Sequence, residues 1–263
     1  MCRSRLHFVF FPFQERISFS QSNPDEGDNV EILIGMAKTG KYAVTGHGDG
    51  VEITVRPSGG ITAILADGHG GSRAVSGISS TAALKAAQFV ADGVREGMIA
   101  RAVYDYFSTV QNAGFTLALT QISADTDAGK LLVCRNTGCP VMVRHEFGVE
   151  VYDEPVQPIG SNKNVKPWMT QIPLEEGLIA ATFSDGVLNA GRKKGRIFDL
   201  KATIRMLEES RPADVQYIAE SILERAMLLD SYQAMDHMSV VVMGIDGKMM
   251  DNPVECRTVR YPA

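Results

Sequence analysis

Cysteine is scarce in this sequence. Four residues (Cys2, Cys134, Cys139, Cys256) among 263 are too few and too unevenly spaced for a disulfide framework. Cys134 and Cys139 lie close together, but no second Cys/His pair completes a zinc set. They read as core cysteines of a protein in a reducing cytoplasm. Long apolar runs are missing too: none approaches the roughly 20 residues that span a bilayer, so no membrane association is expected. Nor is there a basic excess. Lysine and arginine number 26 against 31 acidic residues, and the formal net charge of −5 argues against a nucleic-acid partner. There is no internal repeat and no low-complexity tract. What remains is an ordinary soluble composition, in a chain long enough for one large domain or two small ones.

Regular patterning is absent from the first 35 residues. Arg3 and Arg5 precede a short apolar stretch, Leu6 to Phe13, that resembles the start of a signal peptide. Pro12 breaks it, and no Ala-x-Ala site follows. A polar stretch from Ser18 to Asp28 reads as linker, and Met36 stands where patterning begins. Residues 1–35 are therefore expected to form a flexible, dispensable extension, with the folded domain at 36–263.

Residues 51–56 alternate and are rich in β-branched side chains, Pro57-Ser58-Gly59-Gly60 makes a turn, and 61–66 is apolar. This predicts a β-hairpin. A helix is expected from Ser72 as N-cap, with Val75, Ile78, Ala82, Ala86 and Val90 along one face, and another over 98–110. Strands follow at 115–123, 130–135, 141–145, 149–152, 168–173 and 178–183, each bounded by turn formers. Helices from Asp199 to about 210 and over 213–229 precede strands at 238–245 and 254–259. Clustered strands and clustered helices predict an α+β fold, with antiparallel sheets carrying helices on their outer faces.

Four aspartates stand at predicted strand ends beside turn formers: Asp49 in Gly46-His47-Gly48-Asp49-Gly50, Asp67 in Ala66-Asp67-Gly68-His69-Gly70-Gly71, Asp185 in Ser184-Asp185-Gly186, and Asp236 in Met235-Asp236-His237-Met238. A carboxylate at a strand end can project into a cleft, and several convergent carboxylates repel one another unless a cation lies among them. Oxygen ligands without histidine or thiolate favour Mg²⁺ or Mn²⁺. Taken singly, each aspartate is as well explained as a turn residue, since Asp92-Gly93 and Asp246-Gly247 are further Asp-Gly pairs.

The flanking residues separate the two readings. The segments Ile64-Leu65-Ala66-Asp67-Gly68-His69-Gly70-Gly71, Thr182-Phe183-Ser184-Asp185-Gly186-Val187 and Asp236-His237-Met238-Ser239-Val240-Val241-Val242 resemble the metal-dependent serine/threonine protein phosphatase (PPM) family. Within it they are most similar to the bacterial SpoIIE-like branch, which includes small RsbX-like enzymes. Pro158-Ile159-Gly160 and Arg135-Asn136-Thr137-Gly138-Cys139-Pro140 also look like family segments. The resemblance runs from about Met36 to Ile245. It implies a four-layer sandwich of two antiparallel sheets flanked by helices, and a centre of two ions, Mn²⁺ or Mg²⁺. Asp67 would bridge both, Gly68 through its carbonyl and Asp49 would hold one, and Asp185 and Asp236 the other. It further implies attack of a metal-bridging water on phosphoserine or phosphothreonine of a bacterial regulatory protein, of the STAS-domain anti-anti-sigma or stressosome type.

By the same resemblance His69 would protonate the leaving seryl oxygen, or it is a turn histidine ordering a water; both readings stand. His47 reads as structural. His237 replaces the asparagine that often follows the last aspartate, and the stretch at Asn136 to Cys139 has no acid for a third ion. Arg56 and Arg73 are the candidates, by proximity in sequence, for clamping phosphate. Arg192-Lys193-Lys194-Gly195-Arg196 is either a basic flap that attracts a phosphorylated partner or a solvated loop. A pseudophosphatase binding module and a small-phosphoester hydrolase are the alternative functions.

Overall fold

A computed structural model describes residues 13–16, 30–44, 48–70, 77–110, 114–247 and 256–258. The strands are β1 (Phe13–Arg16), β2 (Glu31–Thr39), β3 (Gly50–Val55), β4 (Ile61–Gly70), β5 (Phe115–Asp125), β6 (Lys130–Asn136), β7 (Val141–His145), β8 (Gly148–Tyr152), β9 (Trp168–Pro173), β10 (Ile179–Phe183), β11 (Met238–Asp246) and β12 (Cys256–Thr258). The helices are α1 (Ile78–Ala91), α2 (Glu96–Val110), α3 (Asp185–Leu188), α4 (Leu200–Glu209) and α5 (Val215–Leu229). One sheet has seven strands in the order β12-β1-β2-β11-β10-β7-β8, and the other has five in the order β3-β4-β5-β6-β9. Neighbouring strands pair antiparallel throughout.

Side-chain alternation explains the layering. On β4, Ala63 and Leu65 face the second sheet, whereas Ile64 and Ala66 pack with Ile78, Ala82 and Ala86 of α1. On β11, Val241, Met243 and Ile245 face inward, whereas Val240 and Val242 meet Ile218 and Ile222 of α5. Central strands covered on both faces read as unbroken apolar runs, as Val240-Val241-Val242 does. Three separate apolar clusters result: α1 and α2 against the five-stranded sheet, sheet against sheet, and α5 against the seven-stranded sheet. These are the interlayer spaces of an α+β, four-layer sandwich.

Several boundaries differ from the sequence expectation. α1 begins at Ile78 after Gly77, and Ser72 lies outside the described residues. α2 starts at Glu96 because that acid complements the helix N-terminus and pairs with Arg56. Asp199 caps α4 as expected, accepting from the Ala202 N–H at 3.1 Å. The largest difference is at the start of the chain. β2 begins at Glu31, not Met36, and pairs along its whole length with β11. Ile32 and Ile34 are buried between the sheets and Leu33 under α5, so residues placed in the extension by patterning belong to the sheet. β1 covers the other edge of β2.

Candidate metal centre

The alternation that fills the inter-sheet core also places the first acid. Two residues beyond Leu65, Asp67 falls on the same face of β4, where the apolar filling stops, and it is buried. β4 does not end there, as the Asp-Gly pair suggests. It runs on to Gly70, with Asp67 opposite Ala118 and His69 opposite Thr116 of β5. Asp49 immediately precedes β3, Asp185 opens α3 at the end of β10, and Asp236 stands two residues before β11.

These positions put the acids into one electrostatic field. Asp67 is pushed up to about 9, first by burial, then by the charges of Asp49 and Asp185, a hydrogen bond with Asp185, and the charge of Asp236. The carboxyl of Asp49 is also raised, again mainly by burial; hydrogen bonds from Ser184 and Ser239 and the nearby His237 pull it back, and Asp185 raises it further. Asp49 Oδ2 is buried without a hydrogen-bond partner, a costly position for an oxygen carrying charge. The structure thus brings together the predicted ligands Asp49, Asp67, Asp185 and Asp236. Among the described residues, no three His, Cys, Asp or Glu side chains are grouped closely enough to hold a metal ion as they stand.

The surrounding residues fix this set, and the contacts of Ser79, Ser239 and Asp230 had no signal in the local sequence. The Gly68 N–H donates to Ser79 Oγ of α1 at 2.9 Å, which orients the Gly68 peptide. A Cβ on Gly68 would collide with Ile78, and one on Gly186 with the carbonyl of His237, so both Asp-Gly pairs are required by close packing. Ser184 Oγ accepts from the Ser239 N–H at 3.0 Å, tying the ends of β10 and β11 beneath Asp49. Asp230, buried at the end of α5, accepts from Gly191 N–H at 2.8 Å and Met235 N–H at 2.9 Å, linking the loop after α3 to the Asp236 loop. Arg135, fully buried on β6, donates to the carbonyls of Thr137 and Cys139. Its sequence signals are a charged residue inside the apolar run of β6 and its place at the head of the family-like segment Arg135 to Pro140.

A cleft of about 270 Å³ opens beside Asp67 and Asp185, walled by Thr116, Ala118, Thr137, Gly138, Cys139, Pro158 and Leu188. Neither lysine nor arginine lines it among the described residues. Arg56 is not available as a phosphate clamp: it pairs with Glu96 and, at 2.8 Å, with Asp125, away from the acids. Arg73, His47 and the side chain of His69 lie outside the described residues. The basic segment follows α3, and part of its charge is spoken for. Lys194 Nζ donates to the Asp230 carbonyl at 2.6 Å and Arg196 to the Leu229 carbonyl at 3.3 Å, both at the C-terminal end of α5. Arg192 and Lys193 are exposed.

The sequence matches the stage II sporulation protein E (SpoIIE) family over residues 57–246. The chain belongs to the SpoIIE family. Solved structures similar to this SpoIIE-family chain share its fold. The PP2C phosphatase domain of SpoIIE from Bacillus subtilis, with a fragment of its regulatory domain, aligns at TM-score 0.67 and 21% identity over 82% of this chain, which spans 64% of that structure. The SiaA PP2C domain of Pseudomonas aeruginosa aligns at TM-score 0.66 and 14% identity, over 81% of this chain and 86% of the other. The catalytic domain of the serine/threonine phosphatase PstP, in complex with two manganese ions, aligns at 0.62 and 14% identity, over 82% and 99%. No curated protein matches the sequence. The fold is that of the PP2C-type serine/threonine phosphatases.

Proposed function

We propose that this chain hydrolyses phosphoserine and phosphothreonine esters of another protein, using two divalent cations, Mn²⁺ or Mg²⁺. The observation that supports the reading is that the charges of Asp49, Asp185 and Asp236 all act on the buried Asp67, with a buried Asp49 oxygen lacking a partner. The donor set is all oxygen, which suits these cations. Asp67 would be shared between two ions, Asp49 and the Gly68 carbonyl would complete one site, and Asp185 and Asp236 the other. When bound, the ions supply Lewis acidity and positive charge for an in-line displacement at phosphorus.

The chain's own residues explain why cations are needed. A phosphate dianion entering the cleft meets Asp67 and Asp185 and no lysine or arginine among the described lining residues, so bound cations would supply the positive charge that matches it. Ser184 and Ser239 hold Asp49, and Ser79 holds the Gly68 peptide, so the donors need little reorganisation. His69, two residues beyond Asp67 on β4, is the candidate to give a proton to the leaving seryl oxygen. The expected substrate is a phosphorylated bacterial regulatory protein of the STAS-domain type, by the family resemblance. All four acids are present, which argues against a pseudophosphatase.

The test is hydrolysis of p-nitrophenyl phosphate and of a phosphorylated STAS-domain protein, with and without Mn²⁺. Asp67→Asn and Asp185→Asn should abolish metal-dependent turnover in folded protein. Mn²⁺ should stabilise the wild type by about 2.7 kcal/mol at 100 times its dissociation constant, and the variants should lose most of that gain. Asp92→Asn, in an exposed turn after α1, should change neither. Wild-type activity and Mn²⁺ response in Asp67→Asn would sink the assignment. Turnover confined to small esters would favour the small-phosphoester hydrolase.

A further inference from the structure

His237 stands directly after Asp236, and its ring turns back into the site. Nδ1 accepts two backbone N–H groups, from Lys41 at 3.2 Å and from Gly48 at 3.1 Å. Lys41 follows β2, and Gly48 immediately precedes Asp49. The backbone N–H of His237 donates to Asp236 Oδ1 at 2.9 Å. Its carbonyl packs against Gly186, the neighbour of Asp185, and its ring fills the space a Cβ on Gly48 would occupy. One residue therefore touches the segments that carry Asp49, Asp185 and Asp236.

We propose that His237 is a positioning residue of the metal centre, whose Nδ1 clips the Gly48–Asp49 segment to the Asp236 loop and so sets the spacing of the two carboxylates. This rests on the metal reading given above. Like-charged carboxylates drive each other apart, and their spacing has to be imposed by something else. An acceptor bonded to a backbone N–H on each of two other segments does so. Outer contacts of this kind govern metal affinity because they hold the ligands in their binding geometry. Asparagine offers an acceptor Oδ1 near the position of Nδ1. Phenylalanine keeps a ring against Gly48 and offers no acceptor.

The experiment measures Mn²⁺ affinity by isothermal titration calorimetry on the full chain, alongside the melting temperature without metal. H237F and H237A should weaken Mn²⁺ binding by roughly 10–100-fold. H237N should bind close to wild type, and metal-free melting should change little in all three. G48A should weaken binding through the same contact, and G48A/H237A should be no worse than the poorer single variant. If H237F does not fold, the contrast between H237A and H237N carries the test. Wild-type affinity in H237F, or equal losses in H237N and H237A, would overturn the proposal while leaving the metal centre standing. A wild-type chain that binds no Mn²⁺ would overturn both.

Discussion

Replacing Arg135 by methionine keeps most of the side-chain volume and removes the guanidinium. Nη1 donates to the Thr137 carbonyl at 3.0 Å and the Cys139 carbonyl at 3.4 Å, while Nη2 donates to the Glu154 carbonyl at 2.7 Å and its carboxylate at 2.9 Å. The guanidinium also lies 5.0 Å from the Trp168 ring centre. Loss of a buried ion pair can be neutral when an apolar residue fills the space. Here the partner acid is not buried: the Glu154 side chain is 55% exposed and returns to water. The carbonyls decide the sign. Thr137 and Cys139 are buried, and each carbonyl left without its donor costs about 1–3 kcal/mol, with about 1 kcal/mol more for the aromatic contact. Removing the arginine's own desolvation cost offsets part of this, so R135M should lose about 2–5 kcal/mol. At about 2–4 °C per kcal/mol, the melting temperature should fall by roughly 5–20 °C. Because residues 137–139 wall the cleft, activity on a small phosphoester should also drop, by up to about 100-fold, at temperatures where the variant stays folded. Urea unfolding with a shared slope measures the first effect and steady-state kinetics the second. A loss below about 0.5 kcal/mol with unchanged kinetics would refute the argument, since that is the level of ordinary surface substitutions.

A chain starting at Met36 would lose Ile32, Leu33 and Ile34, buried aliphatics worth about 1.5–3 kcal/mol each, against a total stability of about 5–15 kcal/mol. It should be insoluble or unfolded by circular dichroism, and a folded, active truncation would show that this half of β2 is expendable. Substituting alanine for Arg192 and Lys193 should spare p-nitrophenyl phosphate hydrolysis and slow turnover of the phosphoprotein by about tenfold at low salt, fading as salt rises. Alanine at Lys194 and Arg196, which anchor the loop to α5, should impair both substrates, and equal losses from the two pairs would remove the steering role.

Local order determined much of this protein. Apolar or alternating runs bounded by turn residues marked β3, the start of β4 and the strands from β5 to β11 to within about two residues, because the turn formers that bound a strand act locally. Asp49, Asp67 and Asp185 were legible because each has a glycine beside it that records a tight turn or a close approach, and Asp236 because it stands just before an apolar strand. Other features depended on partners far along the chain. The strand β4 continues past Asp67-Gly68 because β5 supplies its ladder partners as far as Phe115, which overrides a local turn signal. β2 carries no alternation, being covered on one face by the other sheet and on the other by α5, and only its pairing with β11 makes Glu31 to Ile34 part of the domain. His237 meets Gly48 across 189 residues, Ser184 meets Ser239 across 55, and Arg135 reaches Glu154 across 19. The sequence alone named the acids proposed to hold a cation. Tertiary structure decided what holds the acids, because a hydrogen bond between distant segments leaves no periodicity in either of them.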